Sequence, residues 1–340
     1  MGKAAAARKL AAAAAYGGGG LSLVGASLYG LLHAEALLAR RSIGTAKGEP
    51  PSATGWYGHG RTGPALKLAL LGDSSAAGYG VDSVEQTPGA HLASGLAEAA
   101  GRRVYLHSVA FVGAQTRDLT RQIDEALPVG PDVALILVGT NDVTHRRLPS
   151  ESVRLLSEAV RRLREAGVEV VVGTCPDLGT VEPIAPPLRQ VARHWSRRLA
   201  AAQAIAVVEA GGRTVSLGSI LGPEFAATPK ELFGPDRFHP SAAGYSSMAS
   251  ALLPSILAAV GVIPDEELVL EAARGETVLP ISRAAVEAAK VPGTEIDGTE
   301  VGGSTRGTLG RWVQIRRRRR HAEPELEAPE STEVSEPATS

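Results

Sequence analysis

The chain has 340 residues, 44% of them hydrophobic, which is enough for one large domain or two small ones with a buried core. Its 35 basic and 36 acidic residues leave a formal net charge of −1, so the composition gives no general attraction to nucleic acid. The single cysteine, Cys175, excludes an intramolecular disulfide, and its apolar surroundings in the sequence predict a buried, unreactive thiol.

The first 47 residues are predicted to form a separate hydrophobic segment. Three basic residues precede 23 uncharged ones, Leu10 to Leu32, which are enough to cross a hydrocarbon core of about 30 Å as a helix. We interpret the segment as an uncleaved membrane anchor, which makes the protein membrane-anchored. One alternative is a signal peptide cleaved near Ala34-Glu35-Ala36, which exports it to the cell envelope. The other is a helix packed on the body, and only this alternative fits a cytosolic protein.

The middle of the chain alternates between two periodicities. Residues 48–64 are rich in Gly, Pro, Ser and Thr and are typical of a linker, and residues 65–262 form the predicted main domain. Strands are predicted at Leu66–Leu71, Val104–Val109, Val133–Val138, Val168–Val172 and Ile205–Val208. Helices are predicted at Pro88–Ala100, Thr116–Leu127, Ser150–Ala166, Leu188–Ala202 and Ser241–Val260. This alternation predicts an α/β protein, a three-layer α/β/α sandwich with a parallel sheet of about five strands.

The end of the chain has a different composition. Residues 263–292 have helical spacing and are predicted to form a C-terminal helical extension. Residues 293–340 contain the run Arg316 to Arg320 and a tail rich in Pro, Glu and Ser, and they are predicted to be disordered. We interpret the arginine run as solvated; contact with anionic lipid headgroups is the alternative.

Four short motifs lie beside predicted strands or helices. They are Gly72-Asp73-Ser74, the segment around Gly113, Gly139-Thr140-Asn141-Asp142, and Asp236-Arg237-Phe238-His239. A serine is a poor nucleophile without an adjacent base, a histidine can accept its proton, and a carboxylate can orient that histidine. A glycine N–H and an asparagine amide can stabilise the oxyanion that forms in acyl transfer. Each motif alone also suits a turn or a helix cap, but together they indicate a serine hydrolase.

The four motifs in this order resemble those of the SGNH (GDSL-type) hydrolase superfamily over roughly residues 65–260. The resemblance implies a flavodoxin-like sheet. It assigns Ser74 as nucleophile, His239 as base and Asp236 as the group that orients it. Ser74, Gly113 and Asn141 are then the oxyanion donors. The first motif continues with Ser75 where many relatives have leucine, and no asparagine precedes Gly113 as it does in many relatives, so the subfamily stays open.

We therefore expect an esterase or lipase-like enzyme that cleaves small-molecule or lipid acyl esters through an acyl-enzyme on Ser74, with the N-terminal segment in a membrane. A carbohydrate deacetylase, a thioesterase or an acyltransferase with the same residues is an alternative. A membrane-anchored binding protein that does not use the triad is another. No cofactor, metal ion or nucleic-acid partner is expected, because the sequence contains neither metal-ligand spacing nor a glycine-rich phosphate loop.

Overall fold

The computed structural model describes residues 27–43 and 48–264, together with the backbone of three short strands between residues 276 and 316. The strands are β1 (Gly55–Tyr57), β2 (Leu66–Gly72), β3 (Val104–Ser108), β4 (Val133–Leu137), β5 (Glu169–Gly173), β6 (Arg213–Val215), β7 (Glu276–Pro280), β8 (Glu295–Ile296) and β9 (Trp312–Arg316). The helices are α1 (27–42), α2 (Ser74–Ala77), α3 (Pro88–Ala100), α4 (Leu119–Ala126), α5 (Thr140–Thr144), α6 (Pro149–Glu165), α7 (Leu188–Glu209), α8 (Leu217–Ile220), α9 (Gly222–Ala227), α10 (Pro229–Leu232) and α11 (Ala242–Ala259).

The main sheet has the strand order β1-β3-β2-β4-β5-β6-β8. The five strands from β3 to β6 in this order pair in parallel. The two outer strands, β1 and β8, are antiparallel to their neighbours and close the edges of the sheet. Strands β7 and β9 pair with each other in a separate antiparallel ladder. The predicted α/β class and the predicted number of about five parallel strands are confirmed.

Helices cover both faces of the parallel strands, as a parallel sheet requires. On one face, alternate residues of β2, β4 and β5 pack with α3 and α11 around the fully buried Tyr245. On the other face, the intervening strand residues pack with α4, α6 and the end of α7. Strand β4 is buried throughout, because it lies at the centre of the sheet with a layer of helices on each side. The sheet and the helices on its two faces are therefore the three predicted layers, with one apolar core on each side of the sheet.

One predicted strand of the main domain is wrong. Residues Ile205–Val208 are helical, because α7 continues from Leu188 to Glu209. The preceding alanines favour a helix, and Val207 and Val208 are buried as part of its inner face. The sheet strand β6 begins only after the glycine pair Gly211-Gly212. The branched side chains of this segment therefore reflect burial on the inner face of a helix and not an extended backbone.

The C-terminal prediction also needs correction. Within the predicted helical extension, residues 263–292, the structure describes 263, 264 and β7, which is a strand. Within the segment 293–340, predicted to be disordered, β8 and β9 are strands. Both β7 and β9 are rich in β-branched residues, which favour extended backbone and outweigh the helical spacing. The rest of both segments, including residues 317–320, lies outside the described residues.

The helix α1 packs on the main domain. Ala39 is 6% exposed and belongs to the same core as α3 and α11. The carboxylate of Glu35 accepts a hydrogen bond of 2.9 Å from the N–H of Leu188, at the start of α7. A carboxylate at a helix N-terminus is favourable, because the first N–H groups have no partner within the helix. The described part of the N-terminal segment is therefore a docked helix, and residues 1–26 and 44–47 lie outside the described residues.

Among the described residues, one helix is long and apolar enough to cross a bilayer, and it is α11. Half of this helix is buried inside the domain, where Leu252 and Ile256 have no exposed surface. These contacts identify α11 as a core helix. Helix α11 is therefore not evidence for the predicted N-terminal anchor.

Candidate active site

The sequence motifs meet at one edge of the sheet, where the carboxyl ends of the parallel strands lie. Ser74 follows β2, Gly113 lies in the loop after β3, and Asn141 follows β4. Parallel strands bring their carboxyl ends to the same edge, and in open α/β sheets this is where ligands bind. The fourth motif reaches the same edge from the loop between α10 and α11.

Three side chains at this edge form a continuous hydrogen-bonded chain. Ser74 Oγ lies 3.0 Å from His239 Nε2. His239 Nδ1 lies 2.6 Å from Asp236 Oδ2. Ser74 and Asp236 are 7% and 5% exposed, so bulk water has little access to either interaction. The structure thus brings together the three residues predicted as nucleophile, base and orienting acid, in the geometry that such roles require.

The carboxylate of Asp236 holds in place the loop that carries Asp236 and His239. Asp236 Oδ1 accepts hydrogen bonds of 3.0 Å from the N–H groups of both Phe238 and His239. Burial raises the pKa of Asp236, but the hydrogen bonds from His239 and from the two N–H groups outweigh burial and bring this pKa below its ordinary value. Asp236 therefore stays ionised beside the imidazole, and its position is fixed.

Aromatic rings confine the imidazole. Tyr79 and Phe238 contact His239 edge to face, with ring centroids 4.8 and 5.0 Å away. The hydroxyl of Tyr245 donates a 2.8 Å hydrogen bond to the carbonyl of Tyr79 from the core below. The orientation of His239 is thus set by packing as well as by Asp236.

The two further predicted residues lie on neighbouring loops. Gly113 has φ of +85°, and no described atom lies within 4 Å of the place where a Cβ would stand. The amide nitrogen of Asn141 donates to the carbonyl of Ala114 at 3.0 Å, which joins the loop after β3 to α5. An amide nitrogen carries two hydrogens, so Asn141 keeps one for another acceptor.

The sequence motif includes Asp142 but gives it no role, and in the structure this residue joins the loop after β3 to α5. Its Oδ2 accepts hydrogen bonds from Thr116 N at 3.2 Å and Thr116 Oγ1 at 3.0 Å, and its Oδ1 accepts one from Ser152 at 2.8 Å. Asp142 is 3% exposed. A buried carboxylate with three donors holds the loop of Gly113 against the helix of Asn141.

Gln122 was missed, and it supports Gly72, the first residue of the nucleophile motif. It accepts from the N–H of Gly72 and donates to the carbonyl of Gly72, both at 2.8 Å. Gln122 is buried on the inner face of α4, among the apolar positions Leu119, Ile123 and Ala126. A polar residue at such a position needs a buried partner, which is the signal that could have found it.

An apolar cavity of about 90 Å³ opens beside His239. Its walls come from the ends of β4 and β5, from α8, α9 and α11, and from the loop after β5. The apolar lining residues include Leu137, Leu178, Leu217, Phe225 and Met248. The cavity is of a kind that holds a hydrocarbon group beside the triad.

Two other features of the site concern charge and metal binding. Cys175 is 1% exposed, and burial raises the pKa of its thiol well above the ordinary value, in agreement with the predicted inert cysteine. Within residues 27–43 and 48–264, no three His, Cys, Asp or Glu side chains are arranged to hold a metal ion.

Asp73 begins α2 as its N-cap, accepting a 2.9 Å hydrogen bond from Ser75 N. Burial raises the pKa of Asp73 from 3.8 to about 6 despite this bond. Because the pKa of Asp73 is higher in the folded protein than in the unfolded chain, its protonated form stabilises the folded state. This contribution is complete below the ordinary pKa and is lost as the pH rises through the folded-state pKa. Asp73→Asn should therefore gain stability relative to the wild type between pH 4 and 7, by about 3 kcal/mol in total.

Urea unfolding of both proteins across this pH range measures the difference. Asp124→Asn is the control: its carboxylate is on the surface and pairs with Arg162, and exposed ion pairs contribute little to stability. A difference between Asp73→Asn and wild type that stays constant from pH 4 to 7 would contradict the raised pKa.

Comparison with known proteins places the chain in a family. Residues 70–246, about half of the chain, match the family model of the GDSL-like lipase/acylhydrolase family. A GDSL-like esterase of Mycobacterium tuberculosis is 43% identical over 234 residues, which are 65% of this chain and 74% of the relative.

Solved structures give weaker similarities. An α/β hydrolase, LAE5, from the metagenome of Lake Arreo is 21% identical with a TM-score of 0.45, covering 58% of this chain and 95% of that one. The acetylxylan esterase Axe2 of Geobacillus stearothermophilus is 20% identical with a TM-score of 0.41, covering 58% and 94%. The assignment rests on the family model and the mycobacterial relative, and by these the chain belongs to the GDSL-like lipase/acylhydrolase family.

Proposed function

We propose that the protein hydrolyses carboxylic esters through an acyl-enzyme on Ser74. The observation that carries this proposal is the chain of hydrogen bonds from Ser74 Oγ through His239 to Asp236, at 3.0 and 2.6 Å. Membership of the GDSL-like lipase/acylhydrolase family supports the same chemistry.

In the proposed mechanism, His239 takes the proton of Ser74 as the hydroxyl attacks the ester carbonyl. The new oxyanion accepts hydrogen bonds from the N–H groups of Ser74 and Gly113 and from the amide of Asn141. His239 then gives its proton to the leaving alcohol, and in the second half it activates the water that releases the acid. Asp236 keeps the imidazole in one orientation and stabilises its charged form. The acyl chain lies in the apolar cavity beside His239.

The triad proposal predicts the effect of removing its members. Ser74→Ala and His239→Ala should each lower kcat by on the order of 10⁴-fold or more while the protein stays folded, and the double variant should be about as impaired as either single one. A panel of p-nitrophenyl esters measures kcat, and circular dichroism checks the fold. Ser75→Ala, one residue away, is the matched control and should keep most of its activity.

A Ser74→Ala variant with normal turnover would refute the mechanism. Labelling by a fluorophosphonate probe separates the enzyme from a binding protein that does not use its triad, because only an activated serine reacts. We expect labelling of the wild type and none of Ser74→Ala.

The proposed oxyanion role of Asn141 predicts a different pattern. Asn141→Ala should lower kcat by roughly 10²- to 10³-fold with little change in KM, because the amide would act on the transition state. The same ester panel provides both constants. Asn141 also donates to Ala114 O, so thermal unfolding must be measured alongside. If Asn141→Ala lowered thermal stability but kept normal turnover, Asn141 would have no oxyanion role and only its structural hydrogen bond to the carbonyl of Ala114.

We also propose that the N-terminal segment anchors the protein in a membrane. The uncharged stretch from Leu10 continues into α1, which docks on the main domain. The full-length chain should stay in the membrane pellet after carbonate extraction. Deleting residues 1–26 should release an active protein, because α1 and its contacts remain. Recovery of the full-length chain in the soluble fraction would refute the anchor.

A further inference from the structure

A second, larger cavity of about 460 Å³ lies next to the apolar one. Helix α7 forms one wall, and α8 and α9 form the other. The two cavities share the lining residues Asp177, Thr180 and Gly222, so they adjoin each other. We call the second cavity the α7 cleft. It lies outside the triad, and neither the hydrogen-bond chain nor the proposed oxyanion donors use it.

The wall of the α7 cleft that belongs to α7 is strongly basic. Four of its side chains line the cleft: Arg193, His194, Arg197 and Arg198. Arg193 and His194 lie one helical turn before Arg197 and Arg198, so all four side chains lie along one side of α7. The single acidic residue in the lining is Asp177. Three arginines against one aspartate leave an excess of two positive charges, with His194 counted as neutral.

Asp177 is the one negative charge counted against these arginines, and its carboxylate is paired with two of them. Arg197 donates to Oδ2 through Nε at 3.0 Å and Nη2 at 2.8 Å. Oδ1 accepts from Gly179 N at 2.8 Å and lies 3.7 Å from Arg193. Arg198 and His194 form no ion pair with any residue in the described part of the chain.

The opposite wall offers hydroxyl groups and no further acid. Ser216 and Ser219 line the cleft, and their Oγ atoms lie 3.0 Å apart. Glu224 of α9 bonds to Ser247 on α11 and does not line the cleft. Arginines on a surface are commonly only solvated, but here they share a concave space with hydroxyl groups, and Arg198 has no carboxylate partner among the described residues. This arrangement suits an oxyanion with two negative charges.

We propose that the α7 cleft binds a phosphoryl group carried by the substrate. This proposal rests on the proposed function, because it assigns the substrate as an ester with two parts. The hydrocarbon of the acyl chain lies in the apolar cavity, and a phosphate elsewhere in the molecule lies in the adjoining cleft. Arg198 and Arg193 are the specificity-determining residues for that phosphate, and Arg197 is held by Asp177 as part of the wall.

A matched pair of soluble esters tests the proposal with the full chain. One is 1-butyrylglycerol 3-phosphate, and the other is 1-butyrylglycerol, which has the same ester and no phosphate. At low salt, the wild type should show a kcat/KM at least about 10-fold higher for the phosphorylated ester, since hydrogen bonds to charged groups give differences of this size. The preference should shrink at high salt, because screening weakens the attraction.

Arg198→Gln should lose at least about five-fold of this preference, and Arg193→Gln/Arg198→Gln should lose nearly all of it. Both variants should cleave 1-butyrylglycerol as the wild type does, because neither residue belongs to the triad. Arg154→Gln is the control. Arg154 is an arginine on α6 paired with Glu158, and its loss should change nothing.

Inorganic phosphate, titrated by calorimetry, tests the cleft without catalysis. It should bind the wild type and bind Arg198→Gln more weakly, and it should inhibit cleavage of the phosphorylated ester only. Equal kcat/KM for the two esters in the wild type would overturn the proposal, as would a preference that survives in the double variant. If neither ester is cleaved, the proposed function fails. The phosphate titration then decides the cleft alone, and no difference between wild type and Arg198→Gln would refute it.

Discussion

The arrangement of the candidate site depends on a close contact between two backbones at Gly72. This residue has φ of +139°, and a Cβ there would overlap the carbonyl of Leu137 on the neighbouring strand. The next N–H, of Asp73, donates to that same carbonyl at 3.0 Å. Strand β2 therefore turns sharply against β4, and Ser74 begins a helix that faces His239. Gln122 fixes the other side of the turn through its two bonds to Gly72.

The fold class and the approach of the triad residues were predictable from the sequence, because they depend on local patterns. Alternating apolar strands and helices indicate a parallel sheet, and parallel strands end at a common edge. The supporting contacts of Gln122 and Asp142 depend on which residues meet across the fold, and no local pattern identifies their partners. The strand wrongly predicted at Ile205–Val208 shows the same limit, since branched residues suit either a buried strand or the inner face of a long helix.

Family membership accounts for the catalytic edge but not for everything that touches it. The matched segment is residues 70–246, and α1 precedes it. Ser42 at the end of α1 accepts a 2.9 Å hydrogen bond from Arg237, a residue of the loop that carries Asp236 and His239. Arg40 of α1 donates to the carbonyl of Thr144 in α5 at 3.5 Å. A segment outside the family match therefore contacts the loop of Asp236 and His239 and also helix α5, which carries Asn141.

The docked position of α1 limits the distance between residue 27 and the candidate site. Sixteen residues of helix, 27 to 42, span about 24 Å. The acid–base loop is bonded to the last turn of this helix, so it lies within about one helix length of residue 27. With the proposed anchor, Leu10 to Leu32, ending within the first turns of this helix, the triad would stay at a nearly constant height above the bilayer. Such an enzyme would meet amphiphilic esters by their lateral diffusion in two dimensions, and its access to them would depend on their density in the membrane.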